Sequence, residues 1–159
     1  MRRGRMEQPM NYRTTIEGAD LTELGQIVDE RGAVLHHMRN DAPDFTVFGE
    51  CYFSEMLPRA VKAWKRHRHQ TQNIAVPIGR VRFVMFDDRE GSSSHGTLNI
   101  VELGRPDDYH RLRIPRGVWY GFTCLSSRPA LVANCADRVH DPDDAELRPE
   151  YDERFPYRW

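Results

Sequence analysis

The stretch VKAWKRHRHQTQ, residues 61–72, concentrates side chains that carry charge or transfer protons. Its basic residues are Lys62, Lys65, Arg66, His67, Arg68 and His69. Histidine exchanges protons near neutral pH, whereas lysine has an ordinary pKa of about 10.4 and needs a special environment to do so. The stretch fits a nucleic-acid patch, a metal site, an acid/base site, or the charged face of one strand.

The composition narrows these four interpretations. The 159 residues include 23 basic and 24 acidic side chains, and binding to a phosphate backbone requires a basic excess. No apolar run approaches the ~20 residues of a membrane span. The three cysteines, Cys51, Cys124 and Cys135, show neither zinc-ligand spacing nor a disulfide framework. We therefore expect one cytoplasmic domain that binds neither nucleic acid nor membrane.

Short apolar or alternating runs separated by turn residues dominate the chain after residue 31. Nine of them are predicted to be strands: GAVLHHMR, TVFGECYFSEM, AVKAWKRH, NIAVPIG, RVRFVMFDD, LNIVELG, HRLRIP, VWYGFTCL and PALVANCA. Many short strands at this spacing indicate an antiparallel sandwich or barrel. We expect a basic flexible arm over residues 1–15, a β-domain over 16–140, and a tail over 141–159 that packs on the barrel or on a partner subunit. One short helix is predicted within ADLTELGQIVDE.

The basic run is interpreted as a strand with alternating side chains. Lys65, His67 and His69 then share one face, and Trp64, Arg66 and Arg68 share the other. If the first face points into a cavity, it forms a reactive cluster; if it points into water, it is a solvated edge. Composition leaves both possibilities open.

A metal site is tested by the ligand pattern. His67, His69 and Gly79 resemble part of the first metal motif of cupins, but Gln72 stands where that motif has a glutamate. Tyr120 stands where the second motif has a histidine. Gln and Tyr are poorer ligands for zinc or iron than carboxylate and imidazole. We therefore predict no metal and no organic cofactor.

Several motifs together resemble the sugar-nucleotide epimerase branch of the cupins, typified by dTDP-4-dehydrorhamnose 3,5-epimerase. They are VDERGAVL, GECYFS, VKAWKRH, VPIGRVRFVMFDDREGSSSHG, LRIPRGVWYGFTCLS and VANCAD, in the family's order between residues 28 and 137. The resemblance implies an all-β, RmlC-like cupin jelly roll (a double-stranded β-helix) with short terminal segments. It also implies a homodimer that binds a nucleotide-diphospho-4-keto-sugar.

The resemblance places candidate site residues, with departures from the family. Lys65 occupies the position of the family's catalytic histidine, and Ala133 that of its tyrosine acid. The family's orienting aspartate has no counterpart by motif. Arg31 and Lys62 are candidate contacts for the diphosphate. The catalytic candidates are then Lys65, His67, His69 and Tyr120, and the candidates for substrate contact are Arg31, Lys62, Gln72 and Trp119.

The expected activity is epimerisation or isomerisation of a keto-sugar nucleotide by proton transfer next to the carbonyl, in deoxysugar or secondary-metabolite biosynthesis. Lys65 would act as base, as Schiff-base nucleophile, or as a fixed cation at the keto oxygen. Two alternatives stay open: an isomerase or cyclase acting on a non-nucleotide natural-product intermediate, and a non-catalytic sugar-nucleotide-binding cupin.

Overall fold

The computed structural model describes residues 11–159, and within that range the chain forms β-strands and no helix. The strands are β1 (Asn11–Arg13), β2 (Asp20–Glu23), β3 (Gln26–Asp29), β4 (Gly32–Leu35), β5 (Glu50–Met56), β6 (Val61–His67), β7 (Gln72–Ile78), β8 (Arg80–Phe86), β9 (Leu98–Gly104), β10 (His110–Ile114), β11 (Trp119–Cys124), β12 (Ala130–Ala136) and β13 (Ala145–Leu147). Each of the nine predicted runs overlaps one of β4 to β12, so the all-β prediction is confirmed.

The strands form two antiparallel sheets and a separate hairpin. The six-stranded sheet has the order β1-β2-β10-β7-β12-β5, and the five-stranded sheet has the order β13-β6-β11-β8-β9. β3 and β4 pair only with each other. Apart from β1–β2 and β8–β9, neighbouring strands in the two sheets are not consecutive in the chain. Strands from both halves of the chain therefore meet in each wall of the sandwich.

The core lies between the two sheets and follows the period-two pattern of the strands. On β8, Val81 and Phe83 are buried, whereas Arg80 and Arg82 point outward and pair with Glu102 on β9. This strand therefore has one dry and one wet face. Buried residues of the other sheet, including Ile74, Val76, Leu112 and Val132, complete the same apolar cluster.

The helix predicted within residues 19–30 is wrong. That segment forms β2 and β3 instead, and Leu21 lies opposite Leu112 in the six-stranded sheet. An isolated helix of about twelve residues is marginal in water, so pairing with β1 and β10 outweighs the local helical preference. Gly25 separates the two strands.

The segment after residue 140 runs across the outer face of the five-stranded sheet. β13 pairs with β6, and Phe155 is buried in a stack on Trp64 with ring centroids 4.2 Å apart. Tyr157 and Trp159 pack on the same cluster, whereas Tyr151 is exposed. Of the arm predicted over residues 1–15, residues 1–10 lie outside the described part of the chain, and residues 11–13 form β1. In the described part, no helix is long and apolar enough to cross a membrane.

The turn after β8 is organised by the buried carboxylate of Asp87. Arg89 Nε donates to Asp87 Oδ1 at 2.8 Å, and the hydroxyls of Ser92 and Ser94 each donate to Oδ2 at 2.6 Å. Burial alone raises the pKa of Asp87, but these hydrogen bonds outweigh it and hold the pKa well below its ordinary value. These contacts make the network around Asp87 and Arg89 a structural one.

Asp87→Asn should therefore lower the free energy of unfolding at pH 7 by about 1–3 kcal/mol, because it leaves buried donors without a charged acceptor. A depressed pKa contributes stability above the unfolded-state pKa of about 3.9, and this contribution is lost as the pH falls through the lower folded-state pKa. The difference between the two proteins should narrow below about pH 4. Urea unfolding of both proteins at pH 7 and below about pH 4 measures this difference. Asp107 is an exposed aspartate, and an equal loss of stability in Asp107→Asn would contradict the role given to Asp87.

Candidate active site

A cavity of about 400 Å³ lies between the two sheets. Its lining residues come from both walls: Tyr52, Ser54, Lys62, Ala63, Trp64, Lys65, Ile74, Tyr120, Phe122, Val132, Asn134, Leu147 and Arg148. Three of these carry positive charge and none is a carboxylate. Lys62 and Arg148 are exposed and therefore mark the rim, whereas Lys65 and Tyr120 lie deeper. The electrostatics suit a ligand with an anionic part at the rim and a neutral part inside.

Lys62 and Lys65 are the only lysines in the chain, and both line this cavity. Residues three apart in a regular strand face opposite sides of a sheet. Here Tyr120 of β11 lies opposite Lys65 and Phe122 lies opposite Lys62, so three steps along β6 match two along β11. This irregularity is a β-bulge, which re-aims the side chains around it. The bulge brings both amines to the same side.

The amine of Lys65 is half-buried and forms no hydrogen bond or ion pair with any other residue among 11–159. Burial lowers its pKa, and the negative charge of Asp144 opposes that shift without cancelling it. A larger share of neutral amine is thus present near neutral pH than for an ordinary lysine. A neutral amine has a lone pair that can accept a proton.

His67 lies behind Lys65 and is buried. Its Nδ1 is 3.0 Å from Asp144 Oδ2, whereas its Nε2 is buried without a partner in the part of the chain that the structure describes. Burial and the nearby charge of Lys65 lower the pKa of His67 and outweigh the effect of Asp144. A neutral ring that donates from Nδ1 to the carboxylate leaves Nε2 as a proton acceptor.

The carboxylate that orients His67 belongs to Asp144, which directly precedes β13, the edge strand of the five-stranded sheet. Ala145 of β13 lies opposite His67 of β6, and this pairing brings Asp144 to the imidazole. The second oxygen of Asp144 accepts the backbone N–H of His69 at 2.8 Å. Burial raises the pKa of Asp144, but the hydrogen bonds from His67 and His69 outweigh it and lower the pKa overall. The turn over residues 141–144 thus supplies the carboxylate that orients His67.

The opposite wall carries a polar group formed by Tyr52, Gln72 and Asn134. Asn134 Nδ2 donates to Tyr52 Oη at 2.8 Å and also to Gln72 Oε1. Tyr52 and Asn134 are direct neighbours across β5 and β12, and Gln72 is almost fully buried at the start of β7. Burial raises the pKa of Tyr52 and outweighs the hydrogen bond from Asn134. Tyr52 is therefore a protonated phenol at neutral pH.

Tyr120 belongs to the same wall as Lys65. It lies directly opposite Lys65 on β11, and its ring stacks on that of His67 with centroids 6.2 Å apart and an interplanar angle of 19°. Burial strongly raises the pKa of its phenol, and nearby Tyr52 adds to the shift. Tyr120 can therefore donate a hydrogen bond but does not ionise near neutral pH.

The structure does not bring His69, Arg31 or Trp119 to the cavity. His69 follows the end of β6, so strand alternation no longer governs it, and its side chain is exposed. Arg31 lies in the β3–β4 turn, where its 82% exposed side chain pairs with Asp29. Trp119 precedes Tyr120 on β11 and therefore faces outward, where its indole donates to Asp88 at 3.0 Å. Residues 11–159 also contain no group of three or more His, Cys, Asp or Glu side chains that could hold a metal.

The comparison with known proteins decides the family. The family model of dTDP-4-dehydrorhamnose 3,5-epimerase matches residues 13–159. The chain belongs to the dTDP-4-dehydrorhamnose 3,5-epimerase family. The resemblance noted in the sequence is thereby confirmed, as is the RmlC-like cupin jelly roll.

Similar proteins match this chain over almost its whole length. A dTDP sugar isomerase from Desulfovibrio desulfuricans G20 has 51% identity and a TM-score of 0.91, over 93% of this chain and 94% of that one. The probable low-salt glycan biosynthesis epimerase Agl13 of Haloferax volcanii is 31% identical over 144 residues, 89% of this chain and 88% of the relative. The spore coat polysaccharide biosynthesis protein SpsL of Bacillus subtilis is 28% identical over 91% of this chain and 96% of its own length.

Sequence reasoning missed four residues of the site: Tyr52, Asn134, Asp144 and Arg148. Each becomes recognisable only once its strand partner is known, because no short motif links β5 to β12 or β13 to β6. Tyr52 and Asn134 also lie within quoted motifs, but among the cavity-lining residues candidate roles were assigned only to the motif positions of Lys65, Lys62 and Tyr120. Gln72 was also proposed, and it lies in the polar group behind Tyr52.

Lys65 should titrate below the ordinary lysine value of about 10.4, because burial lowers its pKa. In a Lys62→Arg variant it is the only lysine, so reductive ¹³C-methylation followed by NMR titration reports its ε-amine directly, with the α-amine as the other signal. Asp144→Asn in this background should lower the midpoint further, since the carboxylate favours the ammonium form. A midpoint at or above the ordinary value, or an upward shift in Asp144→Asn, would contradict the environment described for Lys65.

Proposed function

We propose that the protein is an epimerase of a nucleotide-diphospho 4-keto-sugar and inverts a carbon next to the carbonyl, in deoxysugar or glycan biosynthesis. Membership of the epimerase family supports this, as do the names of the Haloferax and Bacillus relatives, which refer to a glycan biosynthesis epimerase and to polysaccharide biosynthesis. The observation that carries the proposal is the unpaired amine of Lys65, half-buried in the inter-sheet cavity.

In this proposal, neutral Lys65 removes the proton from the carbon next to the keto group. The C–H electron pair forms a carbon–carbon double bond, and negative charge develops on the keto oxygen. A hydrogen-bond donor in a sheltered cavity stabilises this enolate. Tyr120 is suited to that task, because it lies opposite Lys65 and its raised pKa keeps the phenol protonated.

The rim is suited to the diphosphate. Lys62 and Arg148 are exposed cations on the cavity lining, and no carboxylate among the lining residues repels an anion. Cations form charge-assisted hydrogen bonds with phosphate oxygens. Lys62 keeps its predicted role in the proposal and is joined by Arg148. Arg31 is not used, because it lies outside the cavity of its own chain.

His67 is proposed as the group that relays the proton away from Lys65. It is buried behind the lysine, and its unpartnered Nε2 can accept a proton while Asp144 stabilises the resulting charge. His69 has no place in this relay, because its exposed side chain does not line the cavity. A metal-free and cofactor-free reaction, a homodimer and a cytoplasmic location remain predictions from the sequence. Analytical ultracentrifugation tests the homodimer, which a monomer would contradict.

Incubation of the protein with a dTDP-4-keto-6-deoxy sugar in deuterated water should introduce deuterium next to the carbonyl, as observed by NMR. Lys65→Ala should reduce the exchange rate roughly 10²–10⁴-fold, because the base is lost. The wild-type rate should rise with pH through the lowered pKa of Lys65. Lys65→His should exchange with a rise nearer pH 6.5, the ordinary imidazole pKa.

Arg116→Ala, which removes an exposed cation outside the cavity, is the matched control and should exchange like the wild type. Full exchange by Lys65→Ala would contradict the assignment of the base. Binding of dTDP without exchange would favour a non-catalytic binding protein. Neither binding nor exchange would favour a non-nucleotide substrate.

A further inference from the structure

Inversion of a carbon requires groups on both faces of the sugar, and the site as described so far accounts for one face. The base removes the proton from one side, and a donor must return a proton to the other. Lys65 and Tyr120 lie on β6 and β11 of the five-stranded sheet and are direct partners in the β-ladder. They therefore reach a bound ring from the same side.

The facing wall presents one acidic proton to the cavity. Tyr52 and Asn134 line the cavity from β5 and β12 of the six-stranded sheet. The cavity of about 400 Å³ between the two walls leaves room for one sugar ring between their side chains. Ser54, from the same wall, carries a hydroxyl far less acidic than a phenol. Tyr52 is thus the proton donor available on this side.

The hydrogen bonds of Tyr52 leave its proton available. Its Oη accepts a strong hydrogen bond from Asn134 Nδ2 at 2.8 Å, whereas its own donation to Gln72 Oε1 spans 3.4 Å. Gln72 Oε1 also accepts from Asn134, so it is already well satisfied. The hydrogen bond that Tyr52 accepts from Asn134 therefore fixes the position of the phenol, whereas the one that Tyr52 donates to Gln72 is weak. A substrate carbon in the cavity can compete for that proton.

We propose that Tyr52 is the proton donor on the face opposite Lys65, held in position by Asn134 and Gln72. Lys65 Nζ takes the C–H proton, and the electron pair passes into the enolate. As the carbonyl re-forms, the carbon takes the proton of the Tyr52 hydroxyl from the opposite face, leaving a tyrosinate and an ammonium. The ammonium releases its proton and the tyrosinate regains one from solvent, so both groups return to their starting state. This assignment rests on the proposed epimerase function.

The test separates proton exchange from inversion. With a dTDP-4-keto-6-deoxy sugar in deuterated water, NMR measures deuterium incorporation next to the carbonyl, and the coupling constants of the sugar measure inversion. Tyr52→Phe should still exchange, because Lys65 remains, but its ratio of inversion to exchange should fall roughly 10²-fold or more. Tyr120→Phe should slow both processes together, because Tyr120 acts on the enolate itself.

Tyr151→Phe removes a hydroxyl from an exposed tyrosine outside the cavity and should match the wild type in both readouts. Asn134→Leu, which removes the donor that positions Tyr52 but keeps the phenol, should lower the inversion ratio less than Tyr52→Phe. If thermal unfolding shows that Tyr52→Phe is unstable, the ratio of inversion to exchange in Asn134→Leu tests the proposal instead. An unchanged ratio in the folded variants would overturn the role of Tyr52. Absence of exchange in the wild type would instead contradict the epimerase function itself.

Discussion

The site depends on how β6 pairs with its neighbours. β6 lies between β11 and β13, and its ladder with β11 contains a bulge between the positions of the two lysines. A regular strand would send one amine inward and the other outward. The bulge directs both into the space between the sheets, and the pairing with β13 places a carboxylate behind them. The charge of the cavity, the environment of Lys65 and the orientation of His67 all follow from this one strand.

Two opposing effects act on the pKa of Lys65 in the cavity: burial lowers it, and a nearby negative charge raises it. An amine withdrawn from solvent loses hydration, which disfavours its charged form, while Asp144 nearby favours it. His67 experiences the same balance with burial as the larger effect. Burial thus lowers the pKa of both groups relative to their ordinary values. A site for proton transfer requires this property, because tightly paired charges of the kind found around Asp87 do not exchange protons near neutral pH.

The fold was largely predictable, since period-two alternation and turn residues are local signals. The nine predicted runs all overlap strands, and the outward Arg80 and Arg82 follow the same rule. The site was predictable only where a candidate role could be assigned to a motif position. Tyr52 and Asn134 meet through a β-ladder between segments eighty residues apart, and Asp144 reaches His67 through another. His69 was misplaced because strict alternation was extended past the end of β6. The helix within residues 19–30 failed because sheet pairing outweighs local preference.

The segment that follows β13 contributes to the lining of the cavity and also packs against Trp64 on the outer face of the five-stranded sheet. Arg148 lines the cavity, and its backbone exchanges hydrogen bonds with that of Trp64, on whose ring Phe155 stacks. A ligand that contacts Arg148 would thus add to the backbone pairing and the aromatic packing that hold this segment. Binding and local order in this segment are thermodynamically linked. Occupied protein should accordingly resist protease cleavage after residue 147 better than empty protein does.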